Sequence, residues 1–201
     1  MARTPAPPQS TATMTAGQLD RRRRVLAAVI DLVAAGRLDD LGMKDVAERS
    51  GVALGTIYRY FSSRDHLAAA ALLEWAGTLD GAGASGAVPG ETMADRLVAI
   101  LHRAVRAYER QPTFARLLVL AATSTDPFAG RCYAQMGVSV YGTLGTALGE
   151  LDPGERRRVL DVVGAVWYQA MIEWVNDRKS VAQVYEAVES AARLVLAGYE
   201  R

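Results

Sequence analysis

KDVAERSGVALGTIYRYFSSRDHL, residues 44–67, is the stretch whose reading decides the fold. Gly42 opens a short helix over 43–50 and Gly51 closes it, because glycine tolerates the left-handed backbone that ends helices. Ala53 to Tyr60 forms a second short helix, and Ser62 or Ser63 caps a longer third, with Asp65 near its start to complement the helix dipole. Val52, Ile57 and Phe61 are expected inside, leaving Thr56, Tyr58, Arg59 and Tyr60 on one outer side. Paired tyrosines beside threonine and glycine pack poorly but donate well to phosphate oxygens. Two short helices joined by a tight turn and carrying such a surface predict a helix-turn-helix, which enters the major groove of DNA.

On the amino-terminal side, Met1 to Gly17 is rich in Ala, Pro, Thr and Ser and is expected to be a disordered tail. From Gln18 the apolar positions Val25, Leu26, Val29, Leu32 and Val33 recur at helical spacing. Arg21 to Arg24 are read as a basic arm or phosphate track, or equally as a solvated helix end ahead of that stripe.

On the carboxyl-terminal side, Gly77 to Gly90 is the clearest compositional break. Met93, Leu97, Ile100, Leu101, Val105 and Tyr108 then form one stripe, and Pro112 starts a short helix. Asp126–Pro127 opens a helix to about Leu148, and Asp152–Pro153 opens the next with a possible capping box. Ser180 with Gln183 forms a capping box for the last helix. The expected fold is all-α, with nine helices and no strand. Its domains are 18–66 for the helix-turn-helix head and 67–201 for the body, joined by the helix at 63–77.

Charge follows the same division. Residues 1–66 hold ten Lys/Arg against seven Asp/Glu, and residues 67–201 hold thirteen against fifteen. A mildly positive head on a near-neutral body suits a DNA-contacting module. No apolar run approaches the ~20 residues needed to span a bilayer, and no secretory signal is read before the first helix. A soluble cytoplasmic protein with no membrane partner is expected. Cys132 is the only cysteine, and with two histidines it makes no metal site. No nucleophile–base pair or phosphate loop argues for catalysis, so no enzyme activity and no cofactor are expected.

GVALGTIYRYFSSRDHL resembles the recognition-helix signature of TetR-family transcriptional regulators: Gly, a hydrophobe, a small residue, then Gly-Thr-hydrophobe-Tyr-x-Tyr-Phe and a Ser-basic pair. VWYQAMIEWVNDRKSVAQVYEAVESAARLVLAG is also similar to the KstR-type branch, repressors of sterol breakdown in actinobacteria. The resemblance implies a two-domain fold with a helical ligand-binding and dimerisation body. It places Thr56, Tyr58 and Tyr60 at positions that meet DNA phosphates or bases, with Arg59 beside them. Arg64 stands for the usual lysine at the start of the fourth helix, Lys44 for a basic residue that touches the backbone, and Leu54 and Gly55 at the groove-facing tip. Two departures are visible: Gly42 replaces a common Ser or Thr, and Ala53 a common Ser, each removing a hydroxyl.

Trp167, Met171 and Trp174 are grouped with His102, Phe114, Leu118, Phe128, Tyr133, Met136 and Tyr141 as lining of a ligand cavity. The competing reading of each is plain core or dimer packing. Gly137, Gly142 and Gly145 on one helix suggest either room for a guest or close helix approach. His66 and Cys132 are expected to be structural. The expected function is a sequence-specific regulator: a homodimer through the last two helices on a palindromic operator of double-stranded DNA, released by a hydrophobic small-molecule effector. Its alternatives are an activator of the same fold, or a helical lipid carrier or enzyme with a vestigial head.

Overall fold

The structure, a computed structural model, describes residues 8–39, 41–83 and 88–199, and the backbone alone over 80–83. Among these residues the chain forms nine α-helices and no strand. They are α1 (Ala16–Ala34), α2 (Met43–Ser50), α3 (Leu54–Tyr60), α4 (Arg64–Gly83), α5 (Met93–Arg110), α6 (Pro112–Thr123), α7 (Pro127–Gly145), α8 (Pro153–Val175) and α9 (Val181–Leu196). No described helix is long and apolar enough to cross a membrane.

The chain divides into two compact units, residues 1–77 with 116–135, and residues 78–115 with 136–201. In the first, α1 packs on α2 and α3, and α2 on α3. Val25, Val29 and Val33 of α1, Val46 of α2, and Ile57 and Phe61 at α3 are all fully buried. In the second, α9 lies between α8 and α5 and packs on both. Its Val184, Val188, Ala192 and Leu196 repeat at helical spacing and are buried, as are Leu97, Leu101 and Val105 of α5 and Val159, Val163 and Met171 of α8.

Helix ends follow local chemistry. Asp152 accepts from the backbone N–H of Gly154 and Glu155 with Pro153 behind it, and Ser180 and Gln183 form a reciprocal capping box. Thr92 and Asp95 form another at the start of α5. Three boundaries differ from expectation. Helix α1 begins at Ala16, not Gln18, because Thr15 and Gln18 make a capping box. Of the expected tail, residues 1–7 lie outside the described residues; Thr11–Thr13 form a 3-10 turn, and the Gln9 N–H donates to the Arg59 carbonyl at 3.0 Å.

Helix α4 runs through the expected break at Gly77 as far as Gly83, and residues 84–87 of that break lie outside the described residues. Gly77 costs a helix ~1 kcal/mol. Burial of Leu72 and Trp75, five and two residues earlier, offsets that. Helix α7 stops at Gly145, and a 3-10 turn over Thr146–Leu148 carries it to the expected end.

Candidate nucleic-acid interface

The turn between α2 and α3 is set by Gly51, whose φ of 63° lies in the left-handed region. Arg24 of α1 reaches across to donate to the Ser50 carbonyl at 3.1 Å, which satisfies one of the orphan acceptors at the end of α2. The Val52 N–H donates to Ser50 Oγ at 3.3 Å. These bonds fix the angle at which α3 leaves the turn. Ile57 and Phe61, both fully buried, then hold α3 against the other two helices.

The outer side of α3 carries Tyr58, 52% exposed, with Arg59, Gly55 and the N-cap residue Ala53 also exposed. Leu54 and Thr56 are half-buried beside them. Nothing lies within 4 Å of the position a side chain at Gly55 would take, so the tip of the helix is bare. Lys44, one residue into α2, is exposed. Arg64 is exposed too, but its guanidinium donates to the carbonyls of Leu38 at 2.6 Å and Asp39 at 3.2 Å, bracing the loop between α1 and α2.

Tyr60 corrects the sequence reading. Its ring is 2% exposed and part of the core, not of the outer side with Tyr58. A helix turns 100° per residue, so residues two apart point nearly opposite ways; Tyr60 shares the face of Ile57, three residues earlier. Arg59 lies over the Tyr60 ring at 5.5 Å. Burial alone raises the phenol pKa, but hydrogen bonding and charge from Arg21 and Arg59 outweigh it and hold the value below that of an ordinary tyrosine.

The run Arg21–Arg24 is no free arm. Arg21 is half-buried, Arg22 lies over the Phe61 ring at 5.3 Å, and Arg24 holds the Ser50 carbonyl and pairs with Asp20 at 3.4 Å. Arg23 is exposed.

Behind the recognition helix, a polar cluster that the sequence reading missed joins the starts of α4 and α7. Asp126 accepts from the N–H of Phe128 at 2.7 Å and of Ala129 at 3.2 Å, and from the hydroxyls of Ser63 and Ser62. Burial pushes its carboxyl up, but these bonds prevail and hold it below the usual carboxylate range. Ser63 in turn caps α4 by accepting the His66 N–H at 3.0 Å.

His66 is buried between Phe61 and Phe128, with both ring centroids 5.4 Å away. Its Nδ1 accepts the Ser62 N–H at 3.1 Å, which requires that nitrogen to be unprotonated. Burial drives its pKa to about 4; Asp126 opposes the shift, and Arg22 and Arg131 reinforce it. Cys132 is half-buried, and burial pushes its thiol pKa up, away from the reactive thiolate. No local signal in the sequence joins Ser62–Ser63 to the Asp126–Pro127 cap, two helix starts that share one carboxylate.

The residues grouped for a ligand cavity fall in both compact units. In the first, Leu118 is fully buried, Tyr133 is half-buried, and Phe128 stacks on His66 and has the Arg131 guanidinium over its ring, 4.7 Å from the centroid. In the second, Phe114, Met136 and Met171 are core, and Trp174 is half-buried. Tyr141 donates to Asp161 at 3.1 Å and lies against Gly164 of α8.

Trp167 sits 5.9 Å from Tyr108, its indole N–H buried and without an acceptor. His102 meets the Tyr185 ring edge-on at 4.9 Å, with Nε2 3.8 Å from a Glu189 carboxylate oxygen. Of the four glycines on α7, Gly130 and Gly142 are exposed, nothing lies within 4 Å of a side chain placed at Gly130, Gly137 or Gly142, and only Gly145 is buried, where an added side chain would meet Arg156 at 3.4 Å. Among the described residues no group of three or more His, Cys, Asp or Glu is placed to hold a metal.

Residues 25–71 match the family described as bacterial regulatory proteins, tetR family, and residues 90–195 match the tetracyclin repressor-like C-terminal domain. The HTH-type transcriptional repressor KstR of Rhodococcus jostii (strain RHA1) is 31% identical over 180 residues, 89% of this chain and 84% of that protein. Among solved structures, a TetR transcriptional regulator from Rhodococcus sp. RHA1 superposes with a TM-score of 0.74 at 28% identity, covering 90% of this chain and 97% of that one. Thermus thermophilus FadR, a TetR-family repressor in complex with lauroyl-CoA, shares the fold at a TM-score of 0.69 and 15% identity, over 88% of this chain and 94% of that one.

Proposed function

The chain belongs to the TetR family of bacterial regulatory proteins, on the side of its KstR-like branch, and we propose that it is a cytoplasmic repressor released from its operator by a hydrophobic effector. The observation that carries this is the outer side of α3. A helix locked from behind by Ile57 and Phe61 presents Ala53, a bare Gly55, Tyr58 and Arg59 to solvent, where core packing has no use for them. Small residues at the tip admit the helix to a major groove, and Tyr58, Arg59 and Lys44 supply donors for phosphates and base edges.

In this reading residues 18–66 bind DNA and residues 67–201 bind the effector and the second subunit. Two copies joined through α8 and α9 place two recognition helices about one helical turn, ~34 Å, apart on a palindromic site. Exposed Val162 and Leu194, the latter 78% exposed, support a partner on those helices. The apolar and aromatic side chains of the body support a large apolar effector. The similarity to KstR favours a sterol-derived ligand, and a fatty acyl-CoA of the kind named for the Thermus protein is the comparison to set against it. No catalytic step, cofactor or metal enters this reading.

Salt-dependent retardation of the duplex upstream of the protein's own reading frame tests DNA binding. Binding that is specific and weakens steeply with salt is expected; equal affinity for unrelated duplexes would refute the reading. Release of that duplex by steroid acyl-CoA but not by lauroyl-CoA is the expected response to effectors.

A further inference from the structure

In the second compact unit, two buried side-chain polar atoms among the described residues lack a hydrogen-bond partner: His102 Nε2 and Trp167 Nε1. His102 Nε2 has a Glu189 carboxylate oxygen 3.8 Å away, close enough for a small movement to join them. Trp167 is placed otherwise. Its indole meets the Tyr108 ring with centroids 5.9 Å apart at 55°, a contact that uses the ring and leaves the N–H unanswered. An indole nitrogen is a donor and nothing else, so burying it without an acceptor costs more than an ordinary hydrogen bond returns. A phenylalanine at this position would carry no such cost.

The place of Trp167 on α8 indicates where a partner could come from. Val163, Ala170 and Met171 lie three or four residues away on the same face and are almost completely buried. Trp167, between them, is only half-buried, although its nitrogen is shut off from solvent. A ring that keeps accessible area in the middle of a buried stripe borders an opening. Water is a poor occupant beside that nitrogen, because a buried water needs two to four polar groups. Val163, Ala170 and Met171 offer it none.

We propose, on the reading of the body as an effector-binding unit, that the Trp167 N–H selects apolar effectors that carry a carbonyl oxygen within their hydrocarbon skeleton. A carbonyl accepts and brings no donor of its own. A hydroxyl also accepts, but its O–H then needs a further acceptor among apolar side chains. A bare hydrocarbon leaves the indole stranded. Discrimination is therefore strongest against the ligand that lacks the oxygen, since the site has already desolvated its donor.

The test uses the full chain and steroid skeletons of the sterol-derived class favoured above. The probes are androstane, its A-ring ketone, its D-ring ketone and the alcohol matching each ketone, with affinities measured by equilibrium dialysis. At least one ketone is expected to bind roughly tenfold more tightly than androstane, with its alcohol between them. Trp167→Phe should keep its thermal midpoint, still bind androstane, and prefer neither ketone by more than about twofold. A second readout needs no change at Trp167. In the nitrogen-labelled protein its indole resonance, the one that survives in both Trp75→Phe and Trp174→Phe, should move downfield with the preferred ketone and not with androstane.

If neither ketone binds better than androstane, if Trp167→Phe keeps the preference, or if the Trp167 resonance responds alike to ketone and hydrocarbon, the selection is refuted while an apolar effector stands. If no probe of the series binds at all, the sterol-type effector and the selection fall together.

Discussion

The helix-turn-helix and the pair α8–α9 are built from the same apolar stripes, yet one declares its purpose and the other does not. In α3, seven residues long, Ile57 and Tyr60 are core while Gly55, Tyr58 and Arg59 are exposed, so Tyr58 and Arg59 stand out. In α8 and α9 an apolar side chain can serve the interior, a second subunit or a ligand. Val163 is fully buried while its neighbour Val162 is 49% exposed, with nothing in the letters to separate them. A polar surface that must meet phosphates carries its own mark; an apolar surface that must meet anything apolar does not.

The sharpest way to break that contrast is to remove the packing that presents α3. Phe61→Ala deletes a fully buried ring and should destabilise the chain by about 3–5 kcal/mol in urea unfolding. A loss under ~1 kcal/mol would mean the helix is held otherwise. Next in size, Val162→Glu with Leu194→Glu should dissociate the dimer proposed through α8 and α9 in sedimentation by at least ~2 kcal/mol, through two desolvated charges. An unchanged dimer would assign those side chains to ordinary surface. Tyr58→Ala should weaken operator binding by about 1–3 kcal/mol and leave stability within ~0.5 kcal/mol of wild type, as an exposed contact residue should.

His66 gives a pH handle on the head alone. Its folded pKa of about 4 lies below its unfolded value of about 6.5. Between those values the unfolded chain binds a proton that the folded chain refuses, so stability should fall as pH is lowered through that window, by on the order of 2 kcal/mol. His66→Gln should flatten that fall in unfolding curves at pH 7 and pH 5; an equal slope in both proteins would move its cause elsewhere. The smallest effect belongs to α7. Gly142→Ala, exposed with open space around it, should raise stability by about 0.5–1 kcal/mol. If it instead weakens the dimer, that glycine is a close-approach contact.

Much of the fold was legible because short-range chemistry dictated it. Gly51 ends α2, Asp152–Pro153 starts α8 and Ser180–Gln183 starts α9, and each acts within four residues. The site was legible where exposure and residue type agreed, as at Tyr58. It was misread at Tyr60, where a phenol's hydroxyl suggested surface and the helical angle to Ile57 dictated core. Arg64 was read as standing for the usual lysine at the start of the fourth helix, yet its guanidinium donates to the Leu38 and Asp39 carbonyls. The shared use of Asp126 by two helix starts was out of reach, since residues over sixty apart in the chain carry no local sign of meeting.

That carboxylate has a consequence for how the protein is made. The first compact unit takes residues 116–135 as well as 1–77, so the amino-terminal helices emerge from the ribosome before the segment that completes them. Closing a loop of this length costs little more than closing a short one, since the entropy grows only with the logarithm of length. The delay is nevertheless real: at ~5–20 residues per second, the nascent head waits several seconds for Asp126. During that interval His66 and the start of α4 lack the Phe128 ring and the Asp126 carboxylate that later pack against them.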